Sequence, residues 1–153
     1  MKGLSRGAVI FLSTGAFSGY APVMPGTVGT LVGVGVFLLL SGCSVPVYLV
    51  FTVFFTAFAV WVSGKAERIF EKKDPSAVVI DEIAGYLIAM AALPPDWGYM
   101  AAGFFLFRVF DIVKPYPANR INDRMPGGPG IVLDDAVAGI YANLVMQVWR
   151  VLQ

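Results

Sequence analysis

GAVIFLSTGAFSGYAPVMPGTVGTLVGVGVFLLLSGCSVPVYLVFTVFFTAFAVWVSG, from Gly7 to Gly64, is a run of 58 residues without one charged side chain. At roughly 20 apolar residues per bilayer crossing it is long enough for two spans. Pro22, Pro25 and Gly26 interrupt it once and Gly42 to Pro46 again. The breaks predict a short segment over 7–20, a helix over 28–41 and a helix over 47–64. Lys2 and Arg6 before this run resemble the start of a secretory signal, but the apolar sequence continues past Gly26 to Thr30. The segment is therefore expected to be retained.

The rest of the chain fits the same solvent. Hydrophobic residues make up 58% of the 153 and charged residues 14%, well below the quarter usual in water-soluble domains. A charged connection over 65–74 leads to Pro75 and Ser76, which read as a helix start with Asp74 as its cap. That helix is expected to reach Leu93. Pro94, Pro95 and Asp96 force a turn, and Trp97 to Val113 form the returning helix. Residues 114–130, rich in Gly, Pro, Asn and Arg, read as a loop before a last helix over Val132 to Leu152. The expectation is one all-α domain over 1–153, a membrane-embedded bundle of five to six helices, some short or re-entrant.

Basic residues set its orientation. Lys2, Arg6, Lys65, Arg68, Lys72, Lys73, Arg108, Lys114, Arg120 and Arg124 lie at one set of ends, whereas the turns at 42–46 and 94–97 carry no Lys or Arg. The first set is expected to face the cytoplasm. Arg150 is an exception.

Composition also removes chemistry. The chain has no histidine and a single cysteine, Cys43, which excludes disulfide frameworks, thiolate or imidazole zinc sites and Ser-His or Cys-His nucleophiles. With 11 basic and 10 acidic residues, nothing advertises nucleic acid as a partner. What remains is chemistry on carboxylates, Lys, Arg and hydroxyls.

Asp81, Glu82, Asp111, Asp134 and Asp135 sit within or at the edge of apolar helices. Ionisable groups at membrane depth usually face a protein interior or a water-filled path; for Asp134 and Asp135 a favourable place at a helix start is an equal explanation. Glu82 lies 12 residues before Pro94 and Asp111 lies 16 after Pro95, so both end roughly 18 to 24 Å from the same turn. Asp134 and Asp135, in the first turn of the last helix, are expected to join them at one membrane face. A hard divalent cation such as Mg²⁺ is the natural counterion, with Glu82, Asp111 and Asp135 as ligands. Asp81 and Asp134 become supporting or alternative ligands, because adjacent helix residues point about 100° apart.

Arg108, Asp111 and Lys114 are spaced by three and suit a phosphate held against a metal; snorkelling basic residues would show the same spacing. PGTVGT, Pro25 to Thr30, opens a helix whose free N–H groups attract phosphate, which makes Gly26, Thr27 and Thr30 substrate-binding candidates, although alone the segment reads better as a plain turn. Gly29 with Gly33 suits helix contact. Gly85 and Gly139 follow Asp81 and Asp135 by four residues, which suits either packing or room beside the carboxylates.

Three blocks, PGTVGT, DEIAGYLIAMAALP and FRVFDIVKPYPANRINDRMPGGPGIVLDDAVAG, resemble in order the signature blocks of the phosphatidylglycerophosphatase A family. The resemblance covers nearly the whole chain. It implies a Mg²⁺-dependent phosphatase of the bacterial inner membrane that converts phosphatidylglycerophosphate to phosphatidylglycerol, with a phospholipid substrate and the membrane as partners. It further implies that Asp81, Glu82, Arg108, Asp111, Lys114, Asp134 and Asp135 are the motif positions. A phosphotransferase of the CDP-alcohol type lacks its DGxxAR motif here. Action on another membrane phospholipid, or a non-enzymatic ion-binding role, stays open to the residues alone.

Overall fold

The computed structural model describes residues 4–152, so Lys2 lies outside the described residues. Seven helices follow one another with no strand among those residues: α1 (Arg6–Ser13), α2 (Pro25–Leu40), α3 (Val45–Phe70), α4 (Ile80–Ala89), α5 (Trp97–Val113), α6 (Ala118–Arg124) and α7 (Gly128–Val151), with a single 3₁₀ turn at Ser18–Tyr20. Local chemistry sets most of the starts. The Ser5 hydroxyl accepts from the Ala8 N–H, Asp96 accepts from the Gly98 N–H at 2.8 Å, and proline stands in the first turn of α2, α3 and α7, where its missing N–H costs nothing.

Helix α4 is the axis of the bundle. Ile80, Asp81, Ile83, Ala84, Gly85, Tyr86, Leu87 and Ala89 are all buried, and α2, α3, α5 and α7 pack around them. Small residues bring these helices close. A side chain on Gly29 or Gly33 would meet Val79 or Tyr86. At the crossing of α4 with α7, a Cβ on Gly85 would meet the Phe107 ring and the Asp135 carbonyl, and one on Gly139 would meet the Gly85 carbonyl. Asp81 and Asp135 stand one turn before these glycines, so the close crossing draws the two carboxylates together.

The outer faces are apolar. Leu39, Val53, Phe54, Phe105, Ile112 and Val148 are all exposed, the pattern of a surface covered by lipid rather than water. Two helices, α3 and α7, are long and apolar enough to cross a membrane, at roughly 39 and 36 Å for 26 and 24 residues. Helix α2 is apolar but shorter.

Several boundaries differ from the sequence expectation; the first helix ends at Ser13 and α2 already starts at Pro25. Helix α3 continues through Lys65, Glu67 and Arg68, because nothing before Glu71, whose φ is 51°, breaks it. The next helix starts at Ile80, and Asp74, with φ 47°, caps nothing. Burial of Val78 and Val79 overrides the Pro75 start signal: the Val79 N–H is taken by the Ser13 carbonyl at 2.9 Å. That helix also stops at Ala89, short of Leu93. The expected loop at 114–130 contains α6, and α7 opens at Gly128, which moves Asp134 and Asp135 from its first turn into its second.

At one end of the bundle the 40–45 and 90–95 turns share a small cavity. Arg150, the basic residue at that end, is engaged locally, donating to the Ala92 carbonyl at 2.8 Å. Asn143 and Gln147 bond the Ala89 and Ala91 carbonyls, so α7 ties down the turn that leaves α4.

A buried carboxylate cavity as the candidate metal and phosphate site

At the opposite end, the starts of α2, α4 and α7 meet the end of α5 around a cavity of about 310 Å³. Its polar wall is Asp74, Ser76, Asp81, Glu82, Arg108, Asp111, Lys114, Asp134 and Asp135, with Gly26 at the rim. All five acids singled out from sequence therefore line one space, together with both cations.

Within it the acids divide in two. Asp81, Glu82 and Asp135 each offer an oxygen within 4.8 Å of the others. Adjacent residues can share the site because they sit in the first turn of α4, where both carboxylates reach the cavity. The other two acids are engaged by cations. Arg108 Nη1 donates to Asp111 Oδ2 at 2.6 Å and stands 4.0 Å from Glu82 Oε1. Lys114 leaves the end of α5 in the left-handed conformation, φ 47°, and bonds Asp134 Oδ2 rather than Asp111. Asn122 of α6 donates to the same Asp134 oxygen at 3.0 Å.

Asp81, Asp134 and Asp135 are 6%, 2% and 3% exposed. Asp81 Oδ1, Glu82 Oε2, Asp134 Oδ1 and Asp135 Oδ2 are buried without a hydrogen-bond partner, as is the Nε of Arg108. A buried carboxylate oxygen left unpaired costs several kcal/mol at least, as order of magnitude. Three such carboxylates together make a donor set of hard anionic oxygens, and a divalent hard cation satisfies it. The residues present thus fit a metal ion. Burial by itself would lower the pKa of Lys114, but its bond to Asp134 and the nearby carboxylates of Asp135 and Asp111 outweigh it, and the net shift is upward. Lys114 is an ammonium at any working pH.

The PGTVGT segment contributes less than its six residues suggest. Gly26 alone of the three candidates there lines the cavity: a Cβ on it would run into Glu82 Oε1 and come within 3.1 and 3.2 Å of the Arg108 guanidinium nitrogens. The Thr27 hydroxyl is buried without a partner, outside the lining. Thr30 is fully buried and donates to the Gly26 carbonyl at 2.9 Å, so it fastens the first turn of α2 rather than facing the cavity. Sequence reasoning missed Asn122, hidden in what read as a loop, and assigned Asp74 to a helix cap when it lines the cavity.

Buried carboxylates beside two cations define a class of helical protein with an acidic cavity that could hold a metal ion in an apolar bundle. The chain belongs to the phosphatidylglycerophosphatase A family, whose description matches residues 11–150. Phosphatidylglycerophosphatase A of Haemophilus influenzae is 37% identical over 88% of this chain and 84% of its own length. The Escherichia coli protein of the same name is 33% identical over 86% and 77%. A Bacteroides thetaiotaomicron protein, to which phosphatidylinositol-3-phosphatase activity is provisionally assigned by name, is 35% identical over 92% of both chains. No solved structure matches the chain.

Proposed function

We propose that this chain acts as one domain that hydrolyses the phosphomonoester of phosphatidylglycerophosphate, yielding phosphatidylglycerol and inorganic phosphate in phospholipid synthesis. The observation that carries the proposal is the set of four buried, unpartnered carboxylate oxygens beside Arg108 and Lys114 in one cavity. Asp81, Glu82 and Asp135 would hold Mg²⁺, with Asp111 adjoining. When bound, the ion supplies positive charge against the phosphate oxygens and lowers the pKa of a bound water.

The chain's own groups do the rest. Arg108 keeps one nitrogen on Asp111 and presents its unpartnered Nε for a phosphate oxygen. Lys114, held by the Asp134 oxygen that also accepts from Asn122, places a second positive charge at the cavity. Gly26, as the second residue of α2, leaves room for phosphate beside its own N–H, since Pro25 has none and the Thr27 and Val28 N–H groups already donate to the Met24 carbonyl. Asp111 and Asp134 orient the two cations and offer oxygens for the proton that water releases. Water adds to phosphorus, the bond from phosphorus to the glycerol oxygen breaks, and that oxygen leaves as the alcohol by taking up the proton the aspartate received from water.

The setting we propose is the bacterial inner membrane, with several passes and the cavity facing the cytoplasm. Support comes from the apolar outer faces and from Arg6, Lys65, Arg68, Lys114, Arg120 and Arg124 at the cavity end of the bundle. The name of the Bacteroides relative favours a second reading, in which the phosphate removed sits on an inositol lipid.

A substrate panel decides. Purified chain is given phosphatidylglycerophosphate, phosphatidylinositol 3-phosphate and phosphatidic acid, and phosphate release is scored in Mg²⁺ and in excess chelator. Preferential, chelator-sensitive release from phosphatidylglycerophosphate is expected. Preference for the inositol lipid would select the second reading, and undiminished release in chelator would refute both.

A further inference from the structure

We infer that the chain carries a second lipid site, for an intact anionic phospholipid, on the opposite side of α7 from the carboxylate cavity. Two adjoining features build it. A cavity of about 580 Å³, larger than the carboxylate one, lies between the polar end of α3 and the start of α7, with Trp61, Lys65, Glu67 and Arg68 on one wall and Gly127 to Pro129 on the other. Next to it an apolar groove of about 340 Å³ runs along α3 from Thr52 to Val60 and is closed by Ile88 and Leu133. Val60 lines both, so the polar cavity and the groove adjoin at that residue. Neither shares a residue with the carboxylate cavity.

The charges say what fits. Lys65 and Arg68 face one carboxylate, Glu67, and neither cation forms an ion pair among the described residues. The cavity is left with one net positive charge, the complement of a phosphodiester. The Lys65 ammonium lies 4.8 Å over the Trp61 ring, and a tryptophan with a cation above it is the usual furniture of a headgroup level. From Val60 to Thr52 the groove follows roughly 12 Å of helix, enough to seat the upper part of an acyl chain. Its flank, Val53 and Phe54, is among the most exposed apolar surface on α3. An occupant must carry a negative charge at one end and hydrocarbon at the other, which a free phosphate does not and an anionic phospholipid does.

Trp61 is its own reporter. The full chain with Trp97→Phe and Trp149→Phe is placed in nanodiscs of phosphatidylcholine, and phosphatidylserine or phosphatidylcholine brominated near the top of the acyl chain is titrated in. Saturable quenching that favours phosphatidylserine is expected. Lys65→Gln with Arg68→Gln should weaken that association about 25-fold, at about fivefold per cation, while Lys72→Gln with Lys73→Gln leaves it within about twofold. Ala57→Phe, which fills the groove without touching a charge, should weaken both lipids. Thermal melts confirm that each variant folds. Equal quenching by the two lipids, equal loss in both lysine-containing double variants, full binding by Ala57→Phe, or displacement by inorganic phosphate would each overturn the site.

Discussion

Neutralising one member of the Asp81, Glu82 and Asp135 group should stabilise the metal-free protein while removing its response to metal. The three oxygens lie within 4.8 Å of one another. At an effective dielectric of about 20, each pair of full charges at that separation repels by about 3.5 kcal/mol. Asp135→Asn deletes two of the three pairs, about 7 kcal/mol before compensation, and its amide N–H groups can donate to the carboxylates that remain. Arg108 and Lys114 already offset part of this repulsion, and proton uptake relieves more, so the net gain expected is about 1–3 kcal/mol. For a chain of this size that is about 2–4 °C of melting temperature per kcal/mol. The assay is thermal unfolding of the full chain in micelles, in excess chelator and then across a Mg²⁺ titration. Native protein should gain stability with Mg²⁺; Asp135→Asn should melt higher than native in chelator and gain almost nothing from the ion. A variant that melts lower in chelator yet keeps the full Mg²⁺ shift would refute the reasoning, because the carboxylate would then be neither repelled nor a ligand.

Arg108→Ala and Lys114→Ala should raise KM or lower turnover at least tenfold while leaving the Mg²⁺ concentration for half-maximal rate within about threefold, since only cations pair with phosphate oxygens; rate measurements across both titrations check this. Gly85→Ala places a methyl against the Phe107 ring and the Asp135 carbonyl, and should cost about 1–3 kcal/mol of stability and reduce turnover by spreading α4 from α7, seen as a lower melting temperature with weaker Mg²⁺ affinity. In a Cys43→Ser background, a cysteine introduced by Lys72→Cys should react with an impermeant label only from the cytoplasmic side, and one introduced by Trp97→Cys only from outside; the reverse pattern inverts the proposed orientation.

Much of this protein is legible in one dimension because lipid makes a coarse demand. A chain with 58 successive uncharged residues must satisfy its backbone within helices, and proline and glycine mark where they stop, so the all-helical bundle, both turns at its far end and the five acids could be read directly from residue type and spacing. The carboxylates announced themselves by being misplaced, charged groups where charge is costly. Tertiary structure decided how those acids are shared out. Whether Asp111 faces Arg108 and Lys114 faces Asp134, whether adjacent Asp81 and Glu82 both reach Asp135, and whether Thr30 points inward or back to Gly26 depend on the crossing of α4 with α7 at Gly85 and Gly139 and on a left-handed residue at Lys114. Helix α6, whose Asn122 braces Asp134, and the buried Val78–Val79 turn that delays α4 to Ile80 owe their form to partners far away in sequence. Spacing along a helix fixes which face a side chain is on, and only the packing of one helix against another fixes what that face meets.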